Sequence, residues 1–291
     1  MRAIADQVHL VTGATQGIGK ETARALARLG ARVILTARDP ARGAAVVDEL
    51  RADTGNQRVE LALVDFASFR SVRAFLDDAH ARLDHLDVLV NNAGGYFQSR
   101  RETEDGHEMS FQVNHLGYFL VTLGLFGHLR AAGAARVVCV SSDAHWGGTV
   151  HLDDLDHRRG YFGYRAYAAS KLMNLLFTVE AARRFPTSIT INALHPGVVA
   201  SGFGQGESGV MKAFYAVARP LLRTSTQGAD TPVWLATAPE LDGVTGKYWA
   251  RRKERGMRAS VRDEELARRL WEESERLTEV SLPVHDGTSS C

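Results

Sequence analysis

Cysteine is nearly absent from this chain of 291 residues: Cys139 lies inside the apolar run Val137 to Val140, and Cys291 is the last residue. Two thiols so placed build neither a disulfide framework nor a zinc site, and they fit a reducing compartment. Excess charge of either sign is missing too, with 35 basic against 34 acidic side chains and a formal charge of +1. No Lys/Arg block stands apart from compensating acids, so nucleic acid is not an expected ligand. No apolar stretch precedes the first strand pattern between Met1 and Gln7. A signal peptide or N-terminal membrane anchor is therefore not expected, and the chain reads as cytoplasmic. His145 and His195 have no partners at metal-ligand spacing, so no metal is expected. Repeats, low-complexity tracts and Pro/Ser-rich linkers are lacking before the tail Asp286 to Cys291. The 31.8 kDa chain is accordingly expected to form one domain over 1–291, with a core spanning about 8–249.

What is present is an alternation of short apolar, β-branched runs with longer helical patterns. Val8 to Val11, Val33 to Thr36, Val59 to Val64, Val88 to Val90, Val137 to Val140 and Ser188 to Leu194 read as strands. A seventh includes Gly246 to Trp249. This alternation predicts βαβ units and an α/β fold, a doubly wound sheet of about seven mainly parallel strands flanked by helices. Ile18, Thr22, Leu26 and Leu29 repeat at helical spacing, and Gly30 stands where that helix would end. A helix runs from about Tyr164 to Arg184 and stops before Pro186. Glu264 to Thr278 is amphipathic and predicts a terminal surface helix packing Leu266, Leu270 and Trp271 inward.

Directly after the first strand comes Thr12-Gly13-Ala14-Thr15-Gln16-Gly17-Ile18-Gly19. Gly13 permits a tight turn, Gly17 lets backbone approach a pyrophosphate, and Gly19 allows close packing of helix on strand. The helix N-terminus itself favours negative charge. A dinucleotide is the expected ligand. The second strand ends Thr36-Ala37-Arg38, and no carboxylate appears until Asp39 before Pro40. An acid there would bond the ribose 2′-hydroxyl of NAD, whereas a guanidinium suits the 2′-phosphate of NADP, so NADP(H) is preferred over NAD(H).

Tyr167 and Lys171 are four residues apart, on one face of a helix. A phenol titrates near 10, too high for proton transfer at neutral pH, and an adjacent ammonium favours its ionised form. Ser141-Ser142 ends the fifth strand at the carboxyl edge of the sheet, where open α/β folds bind ligands. Taken singly, Ser142 would more often be a helix cap or turn residue. Asn91-Asn92-Ala93-Gly94 reaches the same edge. Tyr161, with Arg165 four residues on, and Tyr164 compete with Tyr167, but neither has a lysine at that spacing.

In this order the motifs resemble the short-chain dehydrogenase/reductase family: Thr12 to Gly19, Asn91 to Gly94, Asn114, Ser142, Tyr167 with Lys171, and His195-Pro196-Gly197. The similarity covers about Val8 to Trp249 and implies a Rossmann-type fold. It implies Tyr167 as general acid/base, Ser142 polarising the substrate oxygen, Lys171 binding the nicotinamide ribose, and Asn114 anchoring a water on a proton path. It places Asp65 against the adenine, with Asn92 and Gly94 along the adenosine side, and counts Phe66 and Ala93 among the cofactor-binding residues. Val198 would lie beside the nicotinamide carboxamide, and Thr15, Gln16, Ile18, Pro196, Gly197 and Ser201 are further expected cofactor-binding residues. Without it, Asp65 reads as a cap for the following helix and Asn114 as a polar residue in a helical stretch.

Thr103 to Glu108, Ala144-His145 and Leu175 to Thr178 are similar to the retinol dehydrogenase and WW-domain oxidoreductase branch. That branch implies carbonyl or alcohol substrates of lipophilic character, and family members are commonly homodimers or homotetramers. Ser201 stands where the family usually has threonine. Specificity is expected in loops at about 143–164 and 200–226, where His145, Trp146, Phe203 and Phe214 are candidate lining residues. The alternative reading is a dinucleotide-binding sensor or scaffold without turnover.

Overall fold

Strands whose side chains are buried on both faces give the sheet its apolar sequence runs. The computed structural model describes residues 1–197 and 223–283. Within them lie β1 (Val8–Val11), β2 (Arg32–Ala37), β3 (Val59–Leu63), β4 (Val88–Asn91), β5 (Ala135–Val140), β6 (Ile189–His195), β7 (Tyr248–Ala250) and β8 (Lys253–Glu254). They form one sheet in the order β3-β2-β1-β4-β5-β6-β7-β8. Pairing is parallel from β3 to β7, and β8 runs antiparallel to β7. The two-residue β8 is an addition to the expected seven, too short to leave a periodic signal. Strand order reverses between β1 and β4, which opens a crevice at the carboxyl ends.

The helices are α1 (Gly17–Arg28), α2 (Pro40–Thr54), α3 (Phe69–Arg82), α4 (Met109–Phe111), α5 (Gly117–Gly124), α6 (Phe126–Ala131), α7 (Gly163–Arg184), α8 (Ser225–Thr237) and α9 (Glu264–Thr278). A π-helical stretch, Gln112–Leu116, joins α4 to α5. Alternate strand residues feed two cores: Leu10 packs with Phe75, Phe119, Leu172 and Trp271, whereas Val11 packs with Leu26, Val47 and Leu235. Trp271 of α9 lies against the rings of Phe119 (4.9 Å) and Phe177 (5.8 Å), with the Arg184 guanidinium 4.8 Å from its centre. Leu270 is buried with it, and Leu266 is half-buried as expected.

Ends of the helices follow local chemistry. Asp39 accepts a hydrogen bond from the Arg42 amide at 2.9 Å, Pro40 opens α2, and Gly55 closes it in the left-handed region. Asp65 does not cap α3. Ser68 does, accepting from the Ser71 amide, while Asp65 accepts from the Ala67 amide at 3.0 Å within the preceding turn.

Candidate active site

The glycine turn after β1 is braced from three sides. The Gly13 amide donates to the Thr36 hydroxyl (3.0 Å) of β2, and the Asn92 side chain donates to the carbonyls of Thr12 (2.8 Å) and Gly13 (3.1 Å). The Thr12 hydroxyl accepts from the amides of Asn92 and Ala93. A Cβ on Gly13, where φ is +63°, would stand 2.7 Å from Ala93 Cα, and one on Gly19 would stand 2.6 Å from the Gly13 carbonyl oxygen. Thr15, Gln16, Gly17 and Ile18 remain at least partly open to solvent. Gln16 precedes α1 without a side-chain capping bond, and among the described residues no side chain accepts from the first-turn amides there. This uncapped turn with no room for side chains at its base fits the diphosphate of a dinucleotide.

Arg38 is exposed just beyond β2. Sequence reasoning missed its neighbour Arg42, whose guanidinium donates to the Gln16 side-chain oxygen across the mouth of the turn. Arg42 stands four residues after Arg38, in the first turn of α2, but its partner Gln16 lies 26 residues away in sequence. Asp65 is half-buried nearby, whereas the Phe66 ring is in the core: a Cβ on Gly117 of α5 would meet it at 2.6 Å.

Tyr167, Lys171 and Asn114 gather beyond the ends of β4 and β5, and Ser142 follows two residues after Val140, whose carbonyl Lys171 holds. Lys171 is 4 % exposed, donates to the Val140 carbonyl at 3.1 Å, and has its Nζ 5.6 Å from the centre of the Tyr167 ring. Burial pulls its ammonium down to about 8. The Ser142 hydroxyl oxygen accepts from the Ala144 amide (3.1 Å), so it is both a turn residue and half-exposed at the site. Asn114 sits in the π-helical stretch and is fully buried. Its side chain donates to the Gly95 carbonyl (2.9 Å) and Ser170 hydroxyl (3.0 Å) and accepts from the Gly95 amide (2.8 Å). It thereby fastens the loop carrying Gly94, on which a Cβ would approach Lys171 Nζ to 3.6 Å. Tyr161 is engaged elsewhere, donating to the Phe97 carbonyl at 2.6 Å, and burial raises its phenol. Tyr164 is exposed.

Pro196 is buried and accepts from Arg223, and Gly197 has φ +93°. Val198, Ser201, Phe203 and Phe214 lie outside the described residues. Of the other pocket candidates, Trp146 is exposed and His145 is buried beneath the Ser142 turn. Asp143 and Tyr248 adjoin Ser142 and carried no sequence signal, and nothing in the sequence joined them to His195, because the three come from separate segments. A separate cleft of about 600 Å³ lies away from these groups, beside Phe69, Arg70, Arg73, Asp105 and Glu279. Among the described residues no cluster of three or more metal-binding side chains occurs. None of their helices is long and apolar enough to cross a membrane.

Residues 7–209 match the family model described as short chain dehydrogenase. Human retinol dehydrogenase 14 is 40% identical over 283 residues, covering 91% of this chain and 84% of that protein. Mouse polyprenol dehydrogenase is 42% identical, covering 97% and 87%. Among solved structures, an uncharacterised protein from Mycobacterium paratuberculosis superposes with a TM-score of 0.79 at 32% identity, over 98% of this chain and 97% of that one. An Escherichia coli short chain dehydrogenase complexed with NADPH gives 0.65 at 25% identity, over 84% and 95%.

Proposed function

Because this chain belongs to the short-chain dehydrogenase family, we propose that it is an NADP(H)-dependent enzyme interconverting a carbonyl and an alcohol on a lipophilic or polycyclic small molecule. That it is an oxidoreductase follows from the family; the cofactor, substrate and residue roles are the proposal. One observation supports it: the Lys171 ammonium lies by the Tyr167 ring and on the Val140 carbonyl, two residues before Ser142, at the carboxyl edge of the sheet, where the glycine turn after β1 has no room for side chains at its base. The nicotinamide ring, when bound, supplies or accepts the hydride. Tyr167 gives its phenolic proton to the substrate oxygen during reduction and takes it back during oxidation. Lys171 favours the ionised phenol by its charge and holds the nicotinamide ribose. Ser142 donates to the substrate oxygen and polarises it, an orientation available because its oxygen already accepts from Ala144. Asn114 keeps the Gly94–Gly95 loop in place beside Lys171.

Preference for NADP(H) is supported by two guanidinium groups, Arg38 just beyond β2 and Arg42 in the first turn of α2, while the Asp39 carboxylate caps α2. A 2′-phosphate is a better ligand for that pair than a hydroxyl. Retinol and polyprenol, in the names of the relatives, are lipophilic alcohols, which supports a substrate of that character. Cytoplasmic residence and a homodimer or homotetramer belong to the same proposal.

The test is a spectrophotometric screen of aldehydes, ketones and polycyclic quinones with NADPH and NADH in parallel. Turnover is expected with NADPH, and Tyr167→Phe is expected to lose about 10²- to 10⁴-fold in kcat while NADP still raises its melting temperature. Full turnover by Tyr167→Phe would overturn the assignment of the acid/base. A preference for NADH of about tenfold or more would overturn the reading of Arg38.

A further inference from the structure

We propose that Asp143, Tyr248 and His195 are positioning residues that clamp the Ser142 turn and so fix the hydroxyl that polarises the substrate oxygen. The proposal rests on the reading of Ser142 given above. Ser142 follows β5 directly and leads into a short 3-10 turn, Asp143–Gly147. Contacts inside the turn account for part of its shape: the Ser142 oxygen accepts from the Ala144 amide at 3.1 Å, and the Ser142 carbonyl accepts from His145 Nδ1 at 2.8 Å. None of these ties the turn to the rest of the sheet.

Asp143 supplies that tie. Its Oδ1 accepts from the Tyr248 hydroxyl at 2.8 Å, its amide donates to His195 Nδ1 at 3.3 Å, and its Oδ2 faces His195 Nε2 at 3.5 Å. An Nδ1 that accepts an amide hydrogen leaves the ring proton on Nε2, and the 3.5 Å approach to the carboxylate is an electrostatic contact without a hydrogen bond. Burial and the adjacent carboxylate raise the Tyr248 phenol, which keeps it a donor. The His145 ring stands edge-on to Tyr248 with centroids 5.0 Å apart and fills the space beneath. Tyr248 belongs to β7, His195 ends β6, and Asp143 follows β5, so the clamp joins three neighbouring strand ends. Of its members Tyr248 is almost wholly buried, at 1 % exposure, so the anchor is rigid. A hydroxyl displaced by a fraction of an ångström loses its alignment with the reacting oxygen, which is how a residue that never touches substrate alters rate.

The test uses Tyr248→Phe, Asp143→Leu, Asp143→Asn and the Tyr248→Phe/Asp143→Leu double variant of the full chain. For each, kcat with the best carbonyl from the screen, the Kd of NADPH, and deuterium exchange in the peptide covering 141–148 are measured. Tyr248→Phe and Asp143→Leu are each expected to lower kcat about tenfold with an unchanged NADPH Kd, and to speed exchange of that peptide. Asp143→Asn keeps an acceptor for Tyr248 and restores most of the rate lost in Asp143→Leu. The double variant is no worse than the poorer single one. The proposal is overturned by single variants within about twofold of the parent in kcat, by losses that add in the double variant, or by parallel loss of NADPH binding. If the unaltered protein turns over no carbonyl, the functional reading fails. The exchange comparison still decides the clamp: unchanged exchange in Tyr248→Phe sinks it.

Discussion

Lys171 illustrates at the residue scale how a functional group weakens the fold that holds it. Its ordinary value is 10.5 and burial holds it at about 8 in the folded chain. Between those values the unfolded chain binds a proton that the folded chain has released, so the destabilisation is complete below about 8 and fades as pH rises towards 10.5. The displacement corresponds to about 3 kcal/mol. Lys171→Met is therefore expected to raise the melting temperature at pH 7 by at least about 3 °C, to lose that advantage near pH 10, and to abolish turnover. A melting temperature that falls, or a gain that is independent of pH, would contradict the buried-ammonium account. The two arginines give a second residue-scale expectation. Arg38→Ala and Arg42→Ala should each weaken NADPH binding by about tenfold or more and leave NADH binding nearly unchanged, as read by fluorescence titration. An equal loss for both nucleotides would assign these side chains to the turn's architecture instead.

At the scale of the element, the glycine turn and the π-helical stretch each hold one half of the site. Gly13→Ala places a methyl 2.7 Å from Ala93 Cα in a left-handed backbone, so the β1–α1 turn must move away from β4. The expected result is a loss of thermal stabilisation by NADP, with circular dichroism nearly unaltered. Asn114→Leu deletes three hydrogen bonds of a buried side chain, one of them wholly buried, and should lower stability by roughly 2–4 kcal/mol in urea unfolding.

The difference between these two elements also explains what could be read in the sequence. Thr12 to Gly19, Tyr167 with Lys171, and the strands β1 to β6 were legible because each depends on spacing within one segment. The π-helical stretch was not, since one residue inserted in a helix barely disturbs its apolar pattern. Ser68 was passed over for Asp65 because both are good caps and the choice depends on where α3 turns in. Tyr248 and Asp143 were invisible as a pair: 105 residues separate them, and neither has a local pattern that requires the other.

For the whole molecule, the two cores divide the labour. The one containing Leu26 and Val47 backs the dinucleotide side, and the other is closed by α9. Trp271→Ala would leave a hole between Phe119, Phe177 and Arg184, at an expected cost of about 3–5 kcal/mol measured by denaturant unfolding. Activity should survive below the lowered melting point, because the Tyr167 end of α7 is distant in sequence from the half that α9 covers. The helix also makes a polar connection: His115 of the π-helical stretch bonds the Ser274 hydroxyl at 3.0 Å, one residue after Asn114.

The covering of α5 and α7 by α9 bears on how the protein would age. A protease cutting between Arg262 and Glu264 frees a helix of 15 residues that has little reason to stay helical alone. Bared, Phe119 and Phe177 form an oily strip to which other nicked molecules adhere, so preparations trimmed at this end would cloud and precipitate before their chemistry failed. The same strip, while covered, is closed to a second copy of the chain, and any assembly must be built on another surface.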